Sequence, residues 1–293
     1  MEELLKLDIS GAHSALVSLS ITAGILTILP LLCAFGWKKQ CGKAVSFKPL
    51  LIGAAGFLVS ARVLELGVHM VCIVMDNPVS RFINGNTLAY MLYGALMAVI
   101  FEECGRYVVI KFLMKKNKTR ENMVMYGIGH GGIEVWAITL MGMMSLLAVA
   151  SALVNGGIAA ALPVLGLTGE VPEELAGSAA AVILSAANFS AVGGVLSVLE
   201  RVGAMAVHIA FTVIVAYGVM KGEKRYLPLA VLGHAAVDAL PALYQRGAVS
   251  MIVSELWLFA WVAGLAVWAV KLYKKMPSGT PADAASPATP YPS

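Results

Sequence analysis

The chain has 293 residues, of which 59% are hydrophobic and 13% charged, and its mean hydropathy is +0.82. Soluble domains are about 45–50% apolar and about 25% charged, so this composition excludes one and reads as a polytopic membrane bundle. The net charge of +4 is small and gathers in short basic loops, which speaks for membrane topology and against a nucleic-acid partner.

In chain order, the opening MEELLKLDIS places no basic region ahead of the apolar run and predicts no cleaved signal peptide. Segment one, residues 12–37, is long enough to span, since about 20 apolar residues cover the hydrocarbon core. It stops at Lys38 and Lys39. Segment two, residues 47–75, is interrupted by Arg62, Glu65 and His69, whose i, i+3, i+7 spacing predicts one helix face. Residues 76–86 hold turn formers and predict a loop. Segment three, residues 87–114, carries Glu102, Glu103 and Arg106. Segment four, residues 123–154, carries Gly127, Gly129, His130, Gly131, Gly132 and Glu134.

A Gly/Pro-rich connection is predicted over 155–177. Residues 178–199 are apolar but contain Asn188 and Gly193-Gly194, and they predict an interfacial or re-entrant helix leading into segment five, residues 200–220. Segments six (226–244) and seven (249–273) follow. The bundle is expected over 1–276, with its chemistry within 87–245, and the Pro/Ala/Ser-rich residues 277–293 are expected to form a disordered cytoplasmic tail. Cys33, Cys41, Cys72 and Cys104 are scattered singly and read as reduced thiols.

Lysines and arginines cluster at 38–43, 115–120, 221–225 and 271–275, and the alternate loops are poor in them. Seven spans put all four clusters on the cytoplasmic side, with the N-terminus outside and the C-terminus in the cytoplasm. An eighth span at 178–199 would break that rule. The expected class is therefore all-α: a bundle of about seven spans plus one interfacial helix, multi-pass in the cell membrane.

The ionisable residues inside the spans single out a site. An intramembrane charge costs at least about 2.5–3.5 kcal/mol on insertion scales, so such groups face the interior, pair, or do chemistry. Arg106 is i+4 from Glu102 and i+3 from Glu103; His130/Glu134 and His234/Asp238 are i+4 pairs; Glu200, residue 204 and His208 share a face. At about 1.5 Å per residue, His130 lies roughly 10 Å from the cytoplasmic end of its span, His234 about 12 Å, Asp238 and His208 roughly 18 Å, and Glu102 to Arg106 about 14–20 Å. One water-filled pocket could collect them all.

A carboxylate beside histidine can activate water, and further His and carboxylate groups can stabilise an oxyanion or protonate a leaving group. Gly-x-Ser-x-Gly and His-Glu-x-x-His are both absent, so neither a serine elbow nor a zincin helix is expected. Three histidines from three helices, His130, His208 and His234, would suit a zinc site, which stands as the alternative to a cofactor-free reaction. Against these readings stand plainer ones. Glu102/Glu103/Arg106 could be an ion pair that locks the bundle, and His69 with Arg62 and Glu65 a packed structural group. Glu200-Arg201 could be an interfacial pair at a span end. The glycines around His130 could permit close helix packing, or clear ground for a substrate backbone.

At Glu102-Glu103-x-x-Arg106-Tyr107, Gly129-His130-Gly131-Gly132-x-Glu134, Glu200-Arg201 with His208, and His234-x-x-x-Asp238, the chain resembles the YhfC-type intramembrane proteases. These are relatives of the CAAX-processing and bacteriocin-processing family and of PrsW. The resemblance implies a glutamate-dependent hydrolytic site. In it Glu102 or Glu103 is the general base and Glu134 with His130 fills the second-helix position. His208 and His234 (with Asp238) stabilise the oxyanion or leaving group. The prenyl-peptidase branch has one more residue between its glutamates and arginine, and usually a histidine where Glu134 stands. The implied function is cleavage of a membrane-associated peptide or protein by glutamate-activated water. A proton-coupled transporter using the same relay is the alternative, although the two halves show no internal similarity of the kind transporters carry.

Overall fold

The computed structural model describes residues 3–169 and 171–279. Among them the fold is helical, without a strand, and seven helices are long and apolar enough to cross a membrane. Its helices are α1 (Ala12–Cys41), α2 (Lys48–Phe57), α3 (Pro78–Gly85), α4 (Thr87–Val108), α5 (Arg120–Glu134), α6 (Met141–Val164), α7 (Glu173–Ala187), α8 (Ala191–Lys221), α9 (Tyr226–Gln245) and α10 (Met251–Tyr273). Large apolar side chains such as Leu32, Leu51, Leu113 and Ile252 point outward, as a lipid-facing surface requires.

Three spans are lengthened by π-helical turns: α2 continues to Val74, α4 to Leu113, and Val135–Leu140 joins α5 to α6. A π turn carries more residues than an α turn, so it shifts which side chains share a face. This is why the face expected of Arg62, Glu65 and His69 does not form. Glu65 and His69 pair at 3.1 Å, while Arg62 is exposed.

The expected loop at 76–86 contains α3. Asn77 caps it, accepting from the amides of Val79 and Ser80, while Ser80 Oγ accepts from the Asn77 amide at 3.1 Å. That reciprocal capping box satisfies donors a short helix would otherwise leave unpaired. The connection expected over 155–177 is helical as far as Val164, with a kink at Gly156 and Gly157. Residues 178–199 do not act as one element. Those up to Ala187 belong to the 15-residue α7, too short to span, and those from Ala191 open α8. Seven spans thus stand, but Glu200 and Arg201 sit well inside a span and not at its end.

The chain forms two compact units. One contains α1 up to Leu29 together with Val135–Val202. Within it the Trp136 indole donates to the Thr27 carbonyl at 3.2 Å, and Gly11 and Gly194 let the backbone approach Ala187 and Thr22. The other runs from Pro30 to Glu134 and onward from Gly203. Its core packs Met123, Tyr126, Phe211, Ile214, Val237 and Leu265. Within this unit the part of α8 from Gly203 onward is largely buried, His208 included.

Within this second unit α2 packs along α5, and α9 along α4. Gly53 lies against the Tyr126 carbonyl and Gly129 against Leu50, where any Cβ would collide with backbone. The described start of the expected tail, Pro277 to Gly279, is held on the first turn of α5. Arg120 N donates to the Pro277 carbonyl at 2.9 Å, and the Glu121 carboxylate accepts from Ser278 Oγ and Gly279 N, both at 2.8 Å. Residues 280–293 of that tail lie outside the described residues.

Candidate active site

On α4 the buried positions are Ala95, Val99, Glu102, Glu103 and Arg106. They follow helical spacing, so the charged residues occupy the face that the apolar residues turn inward. α5 brings His130 and Glu134, α8 brings His208, and α9 brings His234 and Asp238. All these residues lie in the second unit. Glu102, Glu103, Arg106, His130, His208 and His234 are each no more than 7% exposed.

The neighbouring glutamates have different partners. Glu103 Oε1 pairs with Arg106 Nη1 and lies 2.8 Å from His234 Nδ1. Glu102 lies 4.0 Å from Arg106, and its Oε2 faces His130 Nε2 at 3.3 Å and His208 Nδ1 at 3.6 Å. Either glutamate could reach Arg106 by helical spacing, and the fold chooses Glu103.

His208 is oriented by its neighbours. A guanidinium has only donors, so the 3.1 Å contact between Arg106 Nη2 and His208 Nδ1 makes that nitrogen an acceptor. In the neutral ring the proton then sits on Nε2, which pairs with Glu134. The i+4 pairing expected between His130 and Glu134 is therefore replaced by pairs across helices: His130 with Glu102, and Glu134 with His208. His234 and Asp238 do meet across one helical turn, at 3.8 Å. Glu200 pairs with its neighbour Arg201 at 2.5 Å in the other unit.

One consequence governs the chemistry. Glu102 Oε2 lies 3.6 Å from His208 Nδ1, whose lone pair already accepts from Arg106 Nη2. Arg106 Nη2, 3.1 Å from His208 Nδ1 and 4.0 Å from Glu102 Oε2, supplies the positive charge that holds two acceptors this close.

The glycines of α5 are consumed by packing. Gly127 lies against Ile209, Gly129 against Leu50, Gly131 against His208 and Gly132 against Pro30. They clear no ground for a substrate backbone; they bring His130 and His208 together, ring centroids 5.1 Å apart. The sequence reading missed the aromatic walls. Phe57 meets His130 edge-on at 5.2 Å, Tyr126 stacks on it at 6.2 Å, and Phe211 stacks on His234 at 4.9 Å. Tyr126 is one helical turn before His130, and Phe211 is three residues after His208. Spacing alone could have flagged both.

Residues 25–258 match the family model of the YhfC intramembrane metalloproteases. The chain belongs to this family. It is 33% identical over 261 residues to the uncharacterized membrane protein YhfC of Bacillus subtilis (strain 168), covering 89% of this chain and 97% of that protein. No solved structure matches it.

The YhfC family description implies a metal, and the residues present fit one. Glu102, His130 and His208 are buried, with one ligand atom each, all within 4.8 Å of one another. A His/His/Glu set suits zinc. The Glu134 contact at Nε2 of His208 fixes the ring as an outer-shell partner does, and a metal at Nδ1 would take the place that Arg106 Nη2 holds there. The three-histidine set expected from the sequence is not the group the fold gathers. His234 has a carboxylate at each nitrogen, and Glu102 takes its place.

Proposed function

We propose that this YhfC-family protein is an intramembrane endopeptidase, hydrolysing a membrane-associated peptide or protein with Glu102 activating water. The observation that carries this is the clustering of a buried carboxylate with two histidines: Glu102 Oε2 lies 3.3 Å from His130 Nε2 and 3.6 Å from His208 Nδ1. A water donating to Glu102 is oriented, and Glu102 takes its proton as the oxygen attacks the carbonyl carbon. The C–N bond then breaks, and the amine leaves with a proton from Glu102. His234 holds a proton at Nε2, beside Asp238, for the developing oxyanion or the leaving group. We assign Glu103 a holding role instead, since its Oε1 pairs with Arg106 and His234 and the residue is fully buried.

The metal-dependent reading is favoured by a separate observation, the Glu102/His130/His208 donor set. A zinc ion held there would supply Lewis acidity to water and carbonyl. We place the basic loops, and hence the C-terminus, in the cytoplasm on the charge bias alone.

The test uses the purified full chain and Glu102→Gln in detergent, with zinc quantified and a pool of membrane-derived peptides offered with and without chelator. Cleavage by metal-free protein, lowered at least about 100-fold by Glu102→Gln, is the expected result. Stoichiometric zinc and chelator-sensitive cleavage would make Glu102, His130 and His208 ligands. Proton-gradient-driven flux in liposomes, with no cleavage, would overturn the peptidase reading in favour of transport.

A further inference from the structure

Asp238 belongs to two environments. It lies 3.8 Å from His234 Nε2, and it also lines a separate cavity of about 460 Å³. That volume is within the range of ligand pockets, about 300–1,000 Å³. The polar wall comes from three spans: Glu65 and His69 of the second, Tyr90 and Tyr93 of α4, and Asp238 and Gln245 of α9. Tyr90 lies in the first turn of α4 and Gln245 is the last residue of α9, with 3.2 Å between their side chains. Asp238 is two turns deeper, about 10 Å at 1.5 Å per residue. The cavity therefore leads from the helix ends inward to a group that touches the candidate active site.

Its chemistry selects for positive charge. Two carboxylates line it, and no lysine or arginine does. A neutral His69 leaves the charge of Glu65 in place. Tyr93 hydroxyl is 2.7 Å from His69 Nδ1, and with the hydroxyl donating there, the neutral ring gives its Nε2 proton to Glu65, 3.1 Å away. The two tyrosines add aromatic faces that attract cations. Tyr90 already holds one, with the Arg246 guanidinium 4.4 Å from its ring centroid.

We infer that this cavity is the subsite for a lysine or arginine side chain of the peptide substrate, seated beside the scissile bond, with Glu65 as the specificity-determining residue. The inference rests on the peptidase reading, so one arm of its test does not need cleavage. Acetyl-arginine amide and acetyl-leucine amide are titrated into the detergent-purified full chain by calorimetry, using wild type, Glu65→Gln, Glu65→Asp and Gln245→Lys. The other arm maps by mass spectrometry the bonds cut in the membrane-derived peptide pool.

The arginine amide should bind wild type more tightly than the leucine amide. Glu65→Gln should weaken it about tenfold or more, as loss of a charged hydrogen bond does. Glu65→Asp should retain the preference. Gln245→Lys, an exposed change at the cavity mouth that leaves the interior intact, should weaken the arginine amide and spare the leucine amide. Mapped bonds should lie next to Lys or Arg, and Glu65→Gln should erase that bias. Equal binding of the two amides, or cleavage with no basic preference, overturns the inference. Arginine binding that depends on Glu65, with no peptide ever cut, sinks the peptidase reading and leaves the cation site supported.

Discussion

Glu102 and Glu103 are adjacent in sequence, but about 100° of helical rotation separates their side chains. Glu103 is fully buried and tied to Arg106 and His234, so it holds a buried cation in place. Removing one partner of such a pair strands the other in low dielectric, at a cost of about 3–5 kcal/mol. Glu103→Ala should therefore lower the detergent-denaturation midpoint sharply, whatever it does to cleavage. Glu102→Gln keeps shape and hydrogen-bonding capacity, so the same measurement should move by less than about 1 kcal/mol while cleavage is lost. Equal destabilisation by both variants would refute this division of roles. The candidate residues were legible in the sequence because charge inside an apolar run has few explanations. The pairing was not legible. Helical spacing allows Arg106 both glutamates, and only the position of His234 and His208 selects between them.

At the scale of the element, α5 shows how composition and packing combine. Four glycines around His130 weaken the helix on intrinsic grounds, yet Gly129 sits where any Cβ would meet the Leu50 backbone. Gly129→Ala should cost about 1–3 kcal/mol through overpacking and lower cleavage by moving His130. Gly36→Ala, on α1 with no heavy atom near its Cβ position, should be neutral or slightly stabilising; thermal melts of both proteins in detergent check the contrast. The same scale explains what the element boundaries concealed. The π turns in the second span shift Arg62 away from Glu65. The Asn77 capping box makes a helix from turn-forming residues. The break at 188–190 assigns Ala191 and the residues after it to α8.

At the scale of the molecule, the seven long apolar helices among the described residues agree with the alternation of basic and non-basic loops. The proposed orientation predicts that a single cysteine at Lys116, in a cysteine-free background, reacts with a membrane-impermeant maleimide only in inverted vesicles. A cysteine at Asn84 should react in intact cells. The reverse pattern would invert the topology and put the mouth of the Glu65/Asp238 cavity on the cytoplasmic side. The expected common depth of the ionisable residues has a structural counterpart: residues from four spans meet in one cluster inside one unit.

By itself the sequence determined the class, the span count and which side chains must be accounted for, because those depend on transfer free energies that act residue by residue. Only the tertiary structure decided the partners. Whether Glu134 serves His130 or His208, whether Glu102 or His234 completes a ligand set, and whether Glu65 lines a cavity all depend on how α2, α4, α5, α8 and α9 pack. Those contacts join residues far apart in the chain, and their specificity comes from the close approach that Gly129 and Gly131 permit, which no periodicity along one helix records.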